Sequence, residues 1–438
     1  MADTDRETAP RTAPTMTRTR TAAGTLLAAL ACALPAACLT PRQPPPSPTR
    51  VGLDTIDLID PQSQAEADHL LSSTDIYRLA EGVRRRERPA PGANRTVLCL
   101  SGGGAYGAYS AGVLVGWSST CTRPRFDVVT GISTGALIAP FAFLGPRYDP
   151  LVEHFYTTTK SRDLFRVRPL RALRSEAVAD NSRLEQLVTE LLSPEVVGEV
   201  AAEHARGRRL YVGTTELESR RFVVWDLGAV AAKGTEDDLR LFRQVVLASA
   251  AVPGFFPPVH IPVAVNGERL TERHVDGGVS QALFFRPPFV PPTRCADPAA
   301  RSLAGTDVYA VVAGKVYPDP EPARARAVAV ARNSAAGVIH AQTRGDLVRL
   351  WTICALTGMN YHMTAIPPEY PAPLTGTAFE PAEMTAMFEE GVRQVRRGTA
   401  WRPTPPGVEP GEHTPQRGGT DLVAVPARPP VPCLLPPE

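Results

Sequence analysis

Phe126-Asp-Val-Val-Thr-Gly-Ile-Ser-Thr-Gly-Ala-Leu-Ile-Ala-Pro-Phe-Ala-Phe-Leu-Gly-Pro146 holds a strand, a sharp turn and a helix in one run. Phe126–Thr130 is apolar and β-branched, which suits a buried strand. Thr134–Leu144 is apolar over about three turns and is closed by Gly145-Pro146, a helix stop. Between them lies Gly131-Ile-Ser-Thr-Gly135. In the G-x-S-x-G pattern two glycines permit a tight strand-to-helix turn that lifts the serine above the sheet. Ser133 then faces the positive end of the following helix, where an alkoxide is stabilised. The pentapeptide alone is common. Its placement between a strand and a helix makes Ser133 a candidate nucleophile.

Upstream, Thr96-Val-Leu-Cys-Leu100 is a continuous apolar run, as in a parallel strand buried on both faces. Ser101-Gly-Gly-Gly-Ala-Tyr-Gly107 follows it and opens a helix over Ala105–Trp117. Glycines there let backbone N–H groups point inward, and the helix N-terminus behind them favours a negative charge. Gly102, Gly104 and Gly107 also satisfy the G-x-G-x-x-G dinucleotide fingerprint. That reading needs an acid at the far end of the second strand, and Asp127 stands at its beginning. No nucleotide is expected.

Downstream, Arg209–Glu216, Arg221–Asp226 and Asp307–Ala313 read as strands. Leu239–Ala250, Ala323–His340, Leu347–Leu356 and Pro381–Arg397 read as helices. Strands alternating with helices predict an α/β fold with a mainly parallel sheet, and ligands gather outside the carboxyl ends of such strands. The remaining signal is His274-Val-Asp-Gly-Gly278, an Asp-turn after a short extended segment, Glu272–Val275. It follows Ala248-Ser-Ala-Ala-Val-Pro-Gly-Phe-Phe-Pro-Pro258, a helix end running into an apolar loop.

Taken in order, Gly102–Gly107, Gly131–Gly135, Ala248–Pro258 and Asp276–Gly278 resemble the patatin-like phospholipases. The resemblance covers about residues 96–315. It implies a three-layer α/β sandwich with helices on both faces of the sheet. It implies a serine lipid acyl hydrolase with a Ser133–Asp276 dyad and no histidine. The oxyanion hole falls to the amides of Gly102, Gly103 and Gly104, with Gly107, Gly131, Gly135, Gly277 and Gly278 as motif glycines. No cofactor or metal is implied, and the partners are a lipid substrate and a membrane surface. Tyr106 departs from the pattern, because the family commonly has Arg or Lys there; this leaves the substrate's charge preference open.

Two other readings compete. A Ser–His–Asp hydrolase needs the order Ser, Asp, His, which Ser133, Asp276 and His340 or His362 meet, and His274 is a further candidate base. A non-catalytic, lipid-binding envelope protein of the same fold is the third. Val252–Pro262 and Ala282–Pro292, with their phenylalanines, either touch lipid or pack in the core. Trp351 and Tyr361-His-Met363 read as core or cleft lining without assignable chemistry.

The whole chain sets the frame. Its 438 residues carry a net charge of +2, with no basic stripe suited to nucleic acid. The basic Met16-Thr-Arg-Thr-Arg20, the apolar Thr21–Ala33 and the small residues before Cys38 have the order of a secretory signal, with Met16 as an alternative start. The segment ending at Cys38 resembles a bacterial lipoprotein signal, which implies lipid attachment at Cys38, with Cys32 a competing position. Export to the cell envelope follows, membrane-anchored or else periplasmic or secreted. Residues 39–95 are expected to form a Pro-rich tether and a helical extension near Gln64–Arg86, residues 96–398 the catalytic domain, and 399–438 a disordered Pro/Gly-rich tail. Of seven cysteines none forms C-x-x-C and none has a histidine at ligand spacing, so no zinc site is expected. Cys99 is expected as a buried thiol, while Cys121, Cys295, Cys354 and Cys433 allow up to two bridges.

Overall fold

The computed structural model describes residues 95–167, 176–265, 268–285, 305–319, 326–372, 376 and 378–408. The chain divides between Ser47 and Pro48. The first unit, with the signal segment, Cys32 and Cys38, lies outside the described residues, as do the tether, the helix expected near 64–86, Cys295, Cys433 and the end of the tail.

The strand β1 is Thr96–Leu100, and a 3₁₀ turn, Gly104–Tyr106, leads into α1, Gly107–Ser119. Then come β2, Val128–Gly131, α2, Thr134–Leu144, α3, Asp149–Thr158, and α4, Ser161–Leu164. A small hairpin of β3, Arg166–Val167, and β4, Ala179–Asp180, is followed by α5, Ser182–Leu191, and α6, Pro194–Ala205. The sheet continues with β5, Arg209–Glu216, and β6, Arg221–Asp226, then α7, Leu227–Lys233, and α8, Glu236–Ser249. Next are β7, Val259–Val265, β8, Glu268–Asp276, β9, Asp307–Val311, α9, Ala327–Thr357, β10, Asn360–Thr364, and α10, Pro381–Arg396.

The main sheet has the order β10-β9-β1-β2-β5-β8-β7, with β6 also paired to β5. From β10 to β5 all neighbours are parallel, whereas β6 and β8 pair antiparallel to β5, and β7 antiparallel to β8. β1 shows why the sheet is central. Successive side chains alternate faces: Leu98 and Leu100 enter one core with residues of α1, α2, α8 and α10, and Val97 and Cys99 enter the other with Leu347, Leu350 and Cys354 of α9. Helices therefore cover both faces, and the fold is the expected three-layer α/β sandwich.

Several expectations change. The two helices expected at Ala323–His340 and Leu347–Leu356 are one, α9. β7 contains Pro262, which is tolerated because β7 is an edge strand, paired only to β8. Cys99 is a buried thiol as expected, but Cys121 and Cys354 are free, so neither forms one of the possible bridges. In the two apolar loops Phe256 and Phe284 are buried and Phe255 and Phe285 partly so, which favours packing over contact with lipid. Phe289 lies outside the described residues.

Candidate active site

The site forms where two strands meet end to end along one edge of β5. β2 runs parallel to β5 and stops with Gly131 opposite Val212. β8 runs antiparallel to β5 and stops with Asp276 opposite Thr214. The carboxyl ends of both strands thus point at each other, separated along β5 only by Gly213. A residue just past the end of β2 and the last residue of β8 are brought together by topology alone. Those residues are Ser133 and Asp276.

Ser133 sits at φ 54°, ψ −122°, a strained position for a residue with a side chain; such positions cost about 1–3 kcal/mol and persist where the surroundings fix them. Three bonds do so here. Ile132 N–H donates to Leu100 O at 3.2 Å, Ala136 N–H to Ser133 O at 2.9 Å, and Ser133 N–H to the hydroxyl of Ser249 at 3.0 Å. The flanking glycines serve close approach. A Cβ on Gly131 would stand 2.5 Å from Gly135 O, and one on Gly135 would stand 2.5 Å from Leu100 O. The elbow can therefore press against β1 only with glycine at both places.

Asp276 is buried, at 5% exposure. Its N–H donates to Ala251 O at 2.9 Å, and its carboxylate accepts Gly278 N–H at 2.7 Å. The Ser133 hydroxyl also donates to that carboxylate. Burial dominates the electrostatics: it pushes the Asp276 pKa up to about 6, against the two hydrogen bonds, which pull it down. The result is a carboxylate ionised at neutral pH and more basic than usual, which fits a proton acceptor.

The Gly-rich loop lies beside the serine, since a Cβ on Gly102 would be 3.1 Å from that of Ser133. The Ser101 hydroxyl pins it, donating to Gly102 O at 2.8 Å and accepting Ala313 N–H at 2.8 Å. One expectation is corrected here. The Gly102 amide donates to Ala282 O at 3.2 Å, and so is already committed and cannot serve an oxyanion. Among the described residues no hydrogen-bond partner is recorded for the amides of Gly103 and Gly104. Gly103 is packed so tightly that a Cβ would lie 1.9 Å from Ala313 O, and Gly104 has φ +58°. At the position where the family commonly has a basic residue, Tyr106 packs against Gly376, and Lys315 is held by Asp319 and Pro368 O.

Beside Ser133 opens a cavity of about 60 Å³. Its walls are apolar: Leu137, Phe155, Leu164, Phe165, Leu184 and Phe256 among them. Phe165 stands edge-on to Phe255 and Phe256 at 4.8 and 5.8 Å, so the aromatic wall is interlocked. Among the described residues no histidine lines it. His274 is fully buried and points elsewhere. Its Nδ1 meets the Thr214 hydroxyl at 3.0 Å and its Nε2 meets Glu272 at 3.0 Å. Thr214 also accepts Trp225 Nε1–H at 2.8 Å, and the imidazole donates from Nε2 to the Glu272 carboxylate. His362 stacks on Tyr309 and contacts Asp307, while His340 contacts the Lys315 backbone. The candidate bases of a triad are thus all engaged away from Ser133.

Sequence reading missed Ser249. Its hydroxyl donates to Gly213 O at 2.7 Å while accepting Ser133 N–H, and the side chain is fully buried. It ties the elbow to the one residue of β5 that separates the ends of β2 and β8. Ser249 was visible as a hydroxyl at a helix end, but its partners lie far off in sequence.

Residues 98–289 match the family model described as patatin-like phospholipase. A search of the curated proteins gives no match. Among solved structures, the crystal structure of VipD from Legionella pneumophila aligns at 12% identity and a TM-score of 0.31, over 70% of this chain and 67% of that one. The matched span runs from β1 to just beyond the Asp276 turn, so that β9, α9 and β10 complete the sheet outside it. Over residues 98–289 the chain is therefore similar to the patatin-like phospholipase family.

Proposed function

We propose that the protein hydrolyses acyl esters of lipids through a Ser133–Asp276 dyad. The observation that carries this is the Ser133 hydroxyl bonded to a buried carboxylate, beside an apolar cavity that no histidine among the described residues lines. Asp276 accepts the hydroxyl proton as Ser133 Oγ attacks the ester carbonyl. The carbonyl oxygen becomes an oxyanion, which the Gly103 and Gly104 amides are placed to hold. Such donors contribute roughly 3–4 kcal/mol each. The protonated Asp276 returns its proton to the departing alkoxide, leaving an acyl-Ser133 ester. Water, deprotonated by the same carboxylate, then attacks that ester, and the proton passes from Asp276 to Ser133 Oγ as the fatty acid leaves. The hydrocarbon chain is shielded by the cavity's leucines and phenylalanines, so the acyl part is selected for being apolar.

Phospholipids, lysophospholipids and acylglycerols all present such an ester. A membrane location fits each, with export and lipid attachment at Cys38 as the proposed means. Kinetics on a short-chain p-nitrophenyl ester test the dyad. Ser133→Ala and Asp276→Asn should each abolish turnover, because the two groups act as one unit. Substitution of His274, His340 or His362 should leave it largely intact. Abolished turnover in a folded variant of any one of these histidines would restore the triad.

A further inference from the structure

The helix α9 is longer than the sheet it covers. Its C-terminal end lies where β9 and β10 begin, since Gly305 N–H donates to Gly358 O just past the helix. Asp346, eleven residues earlier, is level with the opposite end. It accepts Ala282 N–H at 2.7 Å, and Ala282 O in turn accepts the Gly102 amide. From Asp346 to Thr357 the helix rises about 17 Å at about 1.5 Å per residue, which matches about five strand residues. Everything before Asp346 therefore runs out past the edge that carries Ser133. The outermost ties to the body are Arg344, which donates to Val316 O at 3.0 Å and stacks on Tyr317, and His340, which contacts the Lys315 backbone.

Beyond these ties the arm Ala327–Ile339 extends about another 20 Å. Ser334 to Ile339 are exposed without a break, and six successive residues go more than once around a helix. Val330, Val338 and Ile339 are 52%, 65% and 56% exposed. Between Ala327 and Thr343 the sequence has one charged residue, Arg332, and no acid, and Arg326 and Arg344 flank the stretch. No helix among the described residues is long and apolar enough to cross a membrane.

We propose that the α9 arm, Ala327–Ile339, seats the enzyme on an anionic phospholipid surface, lying in the headgroup region with Val338 and Ile339 in the acyl boundary. This deepens the lipid acyl hydrolase reading above and rests on it. The arm's position beside the serine edge would bring the cavity to its substrate. Its positive, acid-free sequence complements anionic headgroups.

The test uses the full chain carrying Ser133→Ala, so that vesicles survive, with and without Val338→Asp/Ile339→Asp. Sedimentation with phosphatidylglycerol-containing vesicles should show partitioning reduced at least about tenfold by the double substitution, from loss of two buried aliphatic side chains. Binding should be weaker to pure phosphatidylcholine and should fall with salt. In the active chain, the same double variant should keep hydrolysis of a soluble short-chain ester and lose that of vesicle lipid. Unchanged partitioning would overturn the proposal. So would a double variant that turns a dimer into a monomer with vesicle binding intact, since the arm would then meet a second copy. A wild-type chain that hydrolyses no ester but binds anionic vesicles through the arm would retire the enzymatic reading alone.

Discussion

Lowering the pH through 6 should switch the enzyme off one proton at a time. Asp276 must be ionised to accept the Ser133 proton, and burial has raised its pKa from 3.8 to about 6. At pH 5 only about one molecule in ten then has an active base, against more than about nine in ten for an ordinary aspartate. A pH profile of kcat/KM on a soluble p-nitrophenyl ester, at constant ionic strength, reports the free enzyme's essential groups. It should fall with unit slope below about pH 6 and stand at pH 5 near a tenth of its plateau. The same shift affects stability with a defined sign. An acid whose folded pKa is raised favours the neutral form in the fold, so the cost of ionising it is absent below about pH 4, grows up to about pH 6 and is constant above. That cost is on the order of 3 kcal/mol at 1.36 kcal/mol per pH unit. Asp276→Asn should consequently be inactive yet more stable than wild type at pH 8, with the gain vanishing at pH 4. An acidic limb near pH 4, or one abolished by a His274 substitution, would refute the reasoning.

Three further outcomes follow from the same geometry. Ser249→Ala removes a buried hydroxyl that holds both Ser133 N–H and Gly213 O, so unfolding in urea should show a loss of about 1–3 kcal/mol, and kcat should fall while KM changes little. Gly103→Ala forces a Cβ to within 1.9 Å of Ala313 O, so the loop must move, and kcat should fall on the order of a hundredfold with a much smaller change in KM; unchanged kinetics would show that the loop amides take no part. Intact mass of the mature protein should show an N-terminal Cys38 carrying added lipid, with the protein in the detergent phase; a lipid-free, soluble chain would reduce that proposal to secretion.

What could be read in the sequence was what is local. β5, β6 and α2 begin and end where their apolar runs meet turn residues, and Ser133 and Asp276 announce themselves in short contiguous motifs. The β7–β8 pairing was obscured because Pro262 interrupts the β7 run, although Val259, Ile261 and Val263 alternate inward. α9 was read as two helices because Gln342-Thr-Arg-Gly-Asp346 breaks the apolar pattern. Its polar side chains bond instead to Val316 O and Ala282 N–H on neighbouring segments. The site's support was illegible for a related reason. Ala282 takes the Gly102 amide, and Ser249 bridges Ser133 to Gly213, across separations that only the folded sheet closes.

Mass-spectrometric analysis of lipid products, with wild type and Ser133→Ala side by side on mixed phospholipid and acylglycerol dispersions, tests the central claim most directly. The dyad predicts free fatty acid and the matching deacylated lipid from wild type and neither from Ser133→Ala. Equal release by both chains, or none by a folded wild type, would contradict it.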